Sequence, residues 1–396
     1  MKNERKFSWG LAILLGTLSA FGPLSMDLYL PALPTMQAGL HTSATMAQLT
    51  ITASVVGLGL GQVIIGPLSD RFGRRWPLLL GVLLFTICSA LIAVQQNIAI
   101  IIAIRFLQGI GGSAGQVLSR SIARDLYSGK QLTRFMALLM AINGIFPIIS
   151  PSIGSLILMA TNWRGIFIVL TVIGALLILF SLLMLRESLP ETRRSTQLWG
   201  AFRDMAFLMG DREFMTYVLA QGFAYSALFS YISGSSFVYE RYYGVPVLVF
   251  SILYAVNGLG IVLGTNLVGR LSRRLSTKRI MHASLMGGVG AGLLLLANAL
   301  TLDSLIVMII GLVLMQICFA GVNTTATSLG MNGEAERAGG ASAMLGLGSN
   351  VLGGVASPLV GMFGAQNAVP MVGMILASNI LALGTYAIGM HGRMDD

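Results

Sequence analysis

The feature that most constrains this chain is a succession of apolar runs, most of eighteen residues or more, separated by short clusters of charge. As a helix, a run of that length matches the ~30 Å hydrocarbon core of a bilayer. A transmembrane barrel would show segments of roughly ten residues with alternating polarity, and the sequence has none. Reading between charge clusters gives twelve runs, at roughly 9–31, 46–68, 78–95, 98–120, 135–159, 165–185, 214–238, 247–269, 280–300, 304–328, 340–363 and 368–390. Only 10% of the 396 residues are charged, where a water-facing surface needs about 25%. The expected fold class is therefore an all-α membrane protein with twelve transmembrane helices. The basic stretch KNERK ahead of the first run resembles the start of a secretory signal. The run is too long for an h-region and eleven more follow, so it reads as an uncleaved first helix.

Charge placement predicts orientation. With both termini on one side, 22 of the 25 Lys and Arg residues fall in that side's loops or at the adjoining helix ends. The opposite loops hold Arg164 and Arg241, and Arg105 lies inside a run. The basic side, with both termini, is then expected to be cytoplasmic. On this reading the net charge of +10 reports membrane topology and gives no reason to expect nucleic-acid binding. Cys88 and Cys318 lie in separate apolar runs and read as small buried hydrophobes. His41, His282 and His391 are far apart and lack zinc spacing. There is no GxxxxGK[ST] phosphate loop. The expectation is a protein with no metal or cofactor, no ATP-driven step and no enzymatic activity.

The longest basic polar stretch, 186–213, divides the runs six and six. It predicts a bundle over 1–185, a cytoplasmic linker over 186–213 and a second bundle over 214–396. Traces of duplication join the halves. SPSIG at 150–154 matches SPLVG at 357–361, and GPLSDRFGRR at 66–75 has a degenerate counterpart in GRLSRRLSTKR at 269–279. The nearly equal offsets place both matches between run n and run n+6. Repeats about a central pathway are how secondary transporters achieve alternating access.

The block GPLSDRFGRR, with Gly66, Asp70, Arg71, Gly73 and Arg74, resembles the loop between helices two and three of the major facilitator superfamily. Arg105-Phe106-Leu107-Gln108-Gly109-Ile110-Gly111 is similar to that superfamily's fourth-helix block. Gly144, Pro147, Pro151 and Gly154 resemble a loosened form of its antiporter block, with Phe146 where the family has a Gly before Pro. SMDLYLPALP, ARDLY at 123–127, RESLPETRR and GFAYSALFSYISGSSFVY look like the bicyclomycin-resistance (Bcr/CflA) branch of drug:proton antiporters. The resemblance implies two pseudo-symmetric six-helix bundles, a bacterial inner-membrane location and proton-coupled drug export. It also implies a conformational latch at Asp70 and proton coupling at Arg105.

Of the 15 acids, 14 fall in loops, tails or helix ends, and Asp27 stands inside the first apolar run. A charge at the bilayer centre costs about 2.5–3.5 kcal/mol on insertion scales, so such residues usually face a cavity and handle ions or protons. Arg105 is the matching cation, and it cannot give up its proton. The two could pair directly or couple through water. Indirect coupling is preferred, because a direct pair would depress the aspartate's proton affinity. Tyr29, Met140, Asn143, Gln221, Tyr225, Phe229, Asn257 and Asn323 are candidate cavity residues, being polar or aromatic within runs expected to surround a pathway. The expected partners are protons, drug-like small molecules and the lipid bilayer, with the protein working as a monomer. A transporter of a natural metabolite such as a sugar, amino acid or peptide is the alternative; a sensor with little flux is a weaker one.

Overall fold

The computed structural model describes residues 8–194, 200–332, 337–363 and 367–390. Every element among them is helical: α1 (Trp9–Asp27), α2 (Leu33–Gly39), α3 (Ala44–Phe72), α4 (Arg75–Val94), α5 (Ile98–Leu126), α6 (Gly129–Ala160), α7 (Trp163–Met184), α8 (Gly200–Leu208), α9 (Arg212–Ser236), α10 (Val247–Leu271), α11 (Thr277–Leu300), α12 (Leu305–Asn332), α13 (Ala338–Met362) and α14 (Val369–Gly389), with short 3₁₀ or π turns between some of them. With α1 and α2 read as one span, twelve long helices correspond to the twelve apolar runs.

Ten of them are long and apolar enough to cross a membrane, and α6 does so as a pair bent by 42° between Pro147 and Ile149. Proline removes an intrahelical hydrogen bond and its ring crowds the preceding turn, which accounts for the bend. The remaining helix, α9, is more polar than the others, and burial is the reason. Of its 25 residues 18 are buried, among them Gln221, Ser226, Ser230 and Ser233. A helix surrounded by protein has little need of a lipid-soluble surface.

The chain divides into two compact units: Met1–Thr35 with Ala53–Trp199, and Met36–Thr52 with Gly200–Asp396. In the first, α1 packs against α5, α6 and α7, and α4 against α5 and α7. In the second, α9 is the hub, packed against α12, α13 and α14, while α12 also meets α10 and α11. The segment Met36–Thr52 is tied to this unit by hydrogen bonds. The Gln48 amide donates to the Ser233 carbonyl at 3.2 Å, and the Thr52 hydroxyl to that of Gly354 at 2.7 Å. Helix α8 rests on α13, where Leu208, Phe214, Val218, Ala341, Met344 and Leu345 form a buried cluster.

Candidate functional site

The sequence around the intramembrane acid breaks its own helix. Continuation of α1 past Asp27 would need an N–H at residue 31 to bond the Asp27 carbonyl, and residue 31 is proline. The helix therefore stops at Asp27, passes through a 3₁₀ turn at Leu30–Ala32 and resumes as α2. Asp27 is buried at this discontinuity. Helix α6 fits against the break: a Cβ added to Gly154 would lie 2.0 Å from the Leu28 carbonyl oxygen. Gly154 thus lets the two backbones approach closely beside the acid.

The same break turns Tyr29 inward onto Arg105, which is fully buried on α5. The guanidinium lies 5.0 Å from the Tyr29 ring centroid and 5.6 Å from that of Phe167 on α7. The two rings are 5.3 Å apart. One guanidinium nitrogen donates to Gln108 Oε1 at 2.6 Å, and the Gln108 amide donates to Ser89 Oγ on α4 at 2.7 Å. Nε and Nη2 of Arg105 are buried without a hydrogen-bond partner. Among the described residues no ion pair joins Arg105 to Asp27. The cation is held by two aromatic faces and an amide relay, an arrangement worth roughly 2 kcal/mol per desolvated face. Asn143 on α6 donates to Ser19 Oγ on α1 at 3.0 Å and to its own helix at Leu139. Met140 and Gly144 also fall on α6, but their surroundings lie outside what is described.

At the other end of this unit the GPLSDRFGRR motif meets residues from two further motifs. Arg74 pairs with Asp70 one turn away and, at 3.1 Å, with Asp125 at the end of α5. It also donates to Ser69 Oγ at 2.7 Å. Glu187 accepts from the backbone N–H groups of Arg74 at 2.8 Å and Arg75 at 3.1 Å, which caps the start of α4 with a carboxylate. Burial opposes the charge of Glu187, but N–H donors from Leu189, Arg74, Arg75 and Ser188 outweigh it and hold the carboxyl below its ordinary value. Ser188 in turn donates to Asp125 at 3.1 Å. Gly73 has φ +92°, and a side chain there would collide with Glu187. Arg71 lies over the Phe72 ring at 5.4 Å. Gly66 faces no close neighbour, since a Cβ there would meet only Val117 at 4.0 Å.

In the second unit the candidate cavity residues fall on α9, α10 and α12. Gln221 donates to Asn323 Oδ1 at 2.9 Å and to Thr327 Oγ1 at 3.4 Å. Tyr225 meets Phe319 edge-on at 5.0 Å and Phe229 at 6.4 Å. Asn257 is fully buried and bonds its own helix at the Leu253 carbonyl. Three acids escaped the motif reading. Asp125 and Glu187 had a visible signal, since both sit inside quoted motifs. Glu240, just past the seventh run, had none beyond its proximity to an apolar segment.

A family model described as Major Facilitator Superfamily matches residues 13–358. The chain is 40% identical to an uncharacterized MFS-type transporter, YdgK, of Bacillus subtilis (strain 168), over 94% of this chain and 93% of that one. It is 28% identical to the bicyclomycin resistance protein homolog of Haemophilus influenzae, over 97% of both. Among solved structures it resembles a bacterial homologue of the human lysosomal transporter Spinster, in an inward-facing, occupied conformation. The TM-score there is 0.78 at 17% identity, covering 99% of this chain and 98% of that one; at that identity the likeness speaks for the fold alone.

Proposed function

The chain belongs to the major facilitator superfamily, and on that premise we propose that it exports drug-like small molecules from the cytoplasm in exchange for protons. It is a multi-pass membrane transporter and not an enzyme. The drug-resistance name of the Haemophilus relative supports the substrate class. The observation that carries the proton reading is the break at Asp27, which puts a buried acid where the first membrane helix is interrupted. Discontinuous helices are where secondary transporters build substrate and coupling-ion sites.

In the proposed cycle a drug enters from the cytoplasm while Asp27 is protonated, and its binding favours loss of the proton. The loaded protein then opens outward and releases the drug. Asp27 is reprotonated from outside, and the neutral form returns. One acid gives one proton per cycle. With a neutral substrate that exchange gains about 2.3 kcal/mol per 100 mV. Arg105, caged by Tyr29 and Phe167, acts on Asp27 through the two-residue link to Tyr29 without an ion pair. Arg74, with Asp70, Asp125 and Glu187, forms the latch. The basic loops and both termini face the cytoplasm of a bacterial inner membrane, and the protein works as a monomer.

The test uses vesicles holding a pH gradient, with wild type compared against Asp27→Asn over a panel of antibiotics and dyes. A compound should collapse the gradient in wild type and leave it intact in the variant. A variant that still couples would give the proton to another group. A wild type that moves protons for no compound would favour a natural metabolite as substrate.

A further inference from the structure

The seventh apolar run ends at 238, and its helix does not stop there. It continues for one turn of π-helix, Phe237–Tyr242, in which Tyr243 N–H bonds the Val238 carbonyl five residues back. The turn is anchored from both sides. Tyr242 and Tyr243 donate their hydroxyls to Asp303 in the connection before α12, and Arg241 donates to Gln37 Oε1 of α2 at 2.7 Å. Gly244, at φ +66°, ends it. π-helical turns are rare and concentrate at functional sites.

This turn carries an unusual set of polar groups. Oε1 of Glu240 is buried without a hydrogen-bond partner, and so are the Tyr239 hydroxyl and Asn257 Oδ1 beside it on α10. Tyr239 lies close to the Asn257 amide without completing a hydrogen bond. Native structures leave few buried polar atoms unsatisfied, and each one asks for a reason. Glu240 has no ion pair among the described residues. The adjacent Arg241 turns its guanidinium to Gln37 and over the Phe237 ring at 5.5 Å. On the parts of α9 and α10 nearest the turn, the titratable groups are Tyr231 and Tyr254, stacked on each other at 5.6 Å. Asp303 is engaged by the two tyrosines.

We propose that Glu240 is a second proton-binding site, a carboxyl in the π-turn at the outer end of the seventh helix that takes a proton from the outer water and holds it as the neutral acid. Burial pushes this carboxyl up to about 8, against the opposing pull of Arg241. The acid is therefore neutral in the resting fold at moderate pH and charges only when base or a local opening exposes it. Use of this proton in the transport cycle rests on the antiport reading above; its binding does not.

Infrared titration of the full-length protein in lipid vesicles tests the proposal. In the Asp27→Asn background, which removes the other buried acid, a carboxylic-acid band should disappear between about pH 7 and pH 9, and adding Glu240→Gln to that background should abolish it. Adding Arg241→Gln instead leaves the glutamate in place and should move the titration upward, because it removes the one charge that favours ionisation. The same band after Glu240→Gln, or no movement after Arg241→Gln, overturns the assignment. Drug-driven proton movement is measured on wild-type vesicles. If it is absent while the band titrates as described, the antiport reading fails and this site stands. If it is present while no such band titrates, this site fails and the antiport reading stands.

Discussion

Arg105 shows how a residue can be conspicuous in sequence while its surroundings are not. A cation in an apolar run must find acceptors or be neutralised by a neighbour. Among the described residues the structure supplies two aromatic rings, a glutamine and no paired carboxylate. A planar guanidinium can lie over both rings while its edge bonds Gln108; an ammonium is a point charge and cannot do all three. Arg105→Lys should therefore keep the charge and lose the cage. We expect thermal stability to fall by about 1–2 kcal/mol and drug-driven proton movement to fall several-fold, measured on purified protein and in vesicles respectively. Unchanged transport would show that charge alone suffices at this position.

Elements are shaped here by a few residues that prevent regularity. Pro31 withholds the N–H that Asp27's carbonyl would accept, and α1 ends there. Pro31→Ala should restore that hydrogen bond and raise stability by about 1 kcal/mol. Because it straightens the segment that aims Tyr29 at Arg105, transport should drop at least tenfold. Helicity by circular dichroism and flux in vesicles give the two readouts, and a variant that gained stability without losing transport would sever the break from the function. The proline was plain in the sequence. Its consequence was not, because the cost of interrupting a membrane helix depends on whether neighbours accommodate the break, as Gly154 does by meeting the Leu28 carbonyl.

At the scale of the whole molecule, connections remote in sequence are joined by a few polar side chains. Glu187 follows the sixth apolar run, yet it caps α4 and contacts the loop after the second run. Its carboxyl is held below the ordinary carboxylate value, so its stabilising effect is full above that ordinary value and is lost as pH falls through the lowered one. Wild type should exceed Glu187→Gln by about 1 kcal/mol near pH 7, with the gap closing as pH falls through the lowered value of that carboxyl. Thermal unfolding across pH checks this, and a gap independent of pH would assign the effect to packing.

The sequence by itself determined the twelve spans, their helical character, the basic side and the isolation of Asp27, because the bilayer admits few solutions and tolerates almost no stray charge. It also marked Asp70 and Arg74 through the GPLSDRFGRR motif, and the two stand one helical turn apart. Only the tertiary structure decided what those groups meet. The polar face of α9 is explained by its burial, Arg105 by rings from two other elements, and Glu240 by a π-turn that hydropathy does not register. The physical reason is common to all three. Partition into a membrane is a sum over local residues and can be read along a line, whereas the satisfaction of a buried polar group depends on partners that only packing brings near.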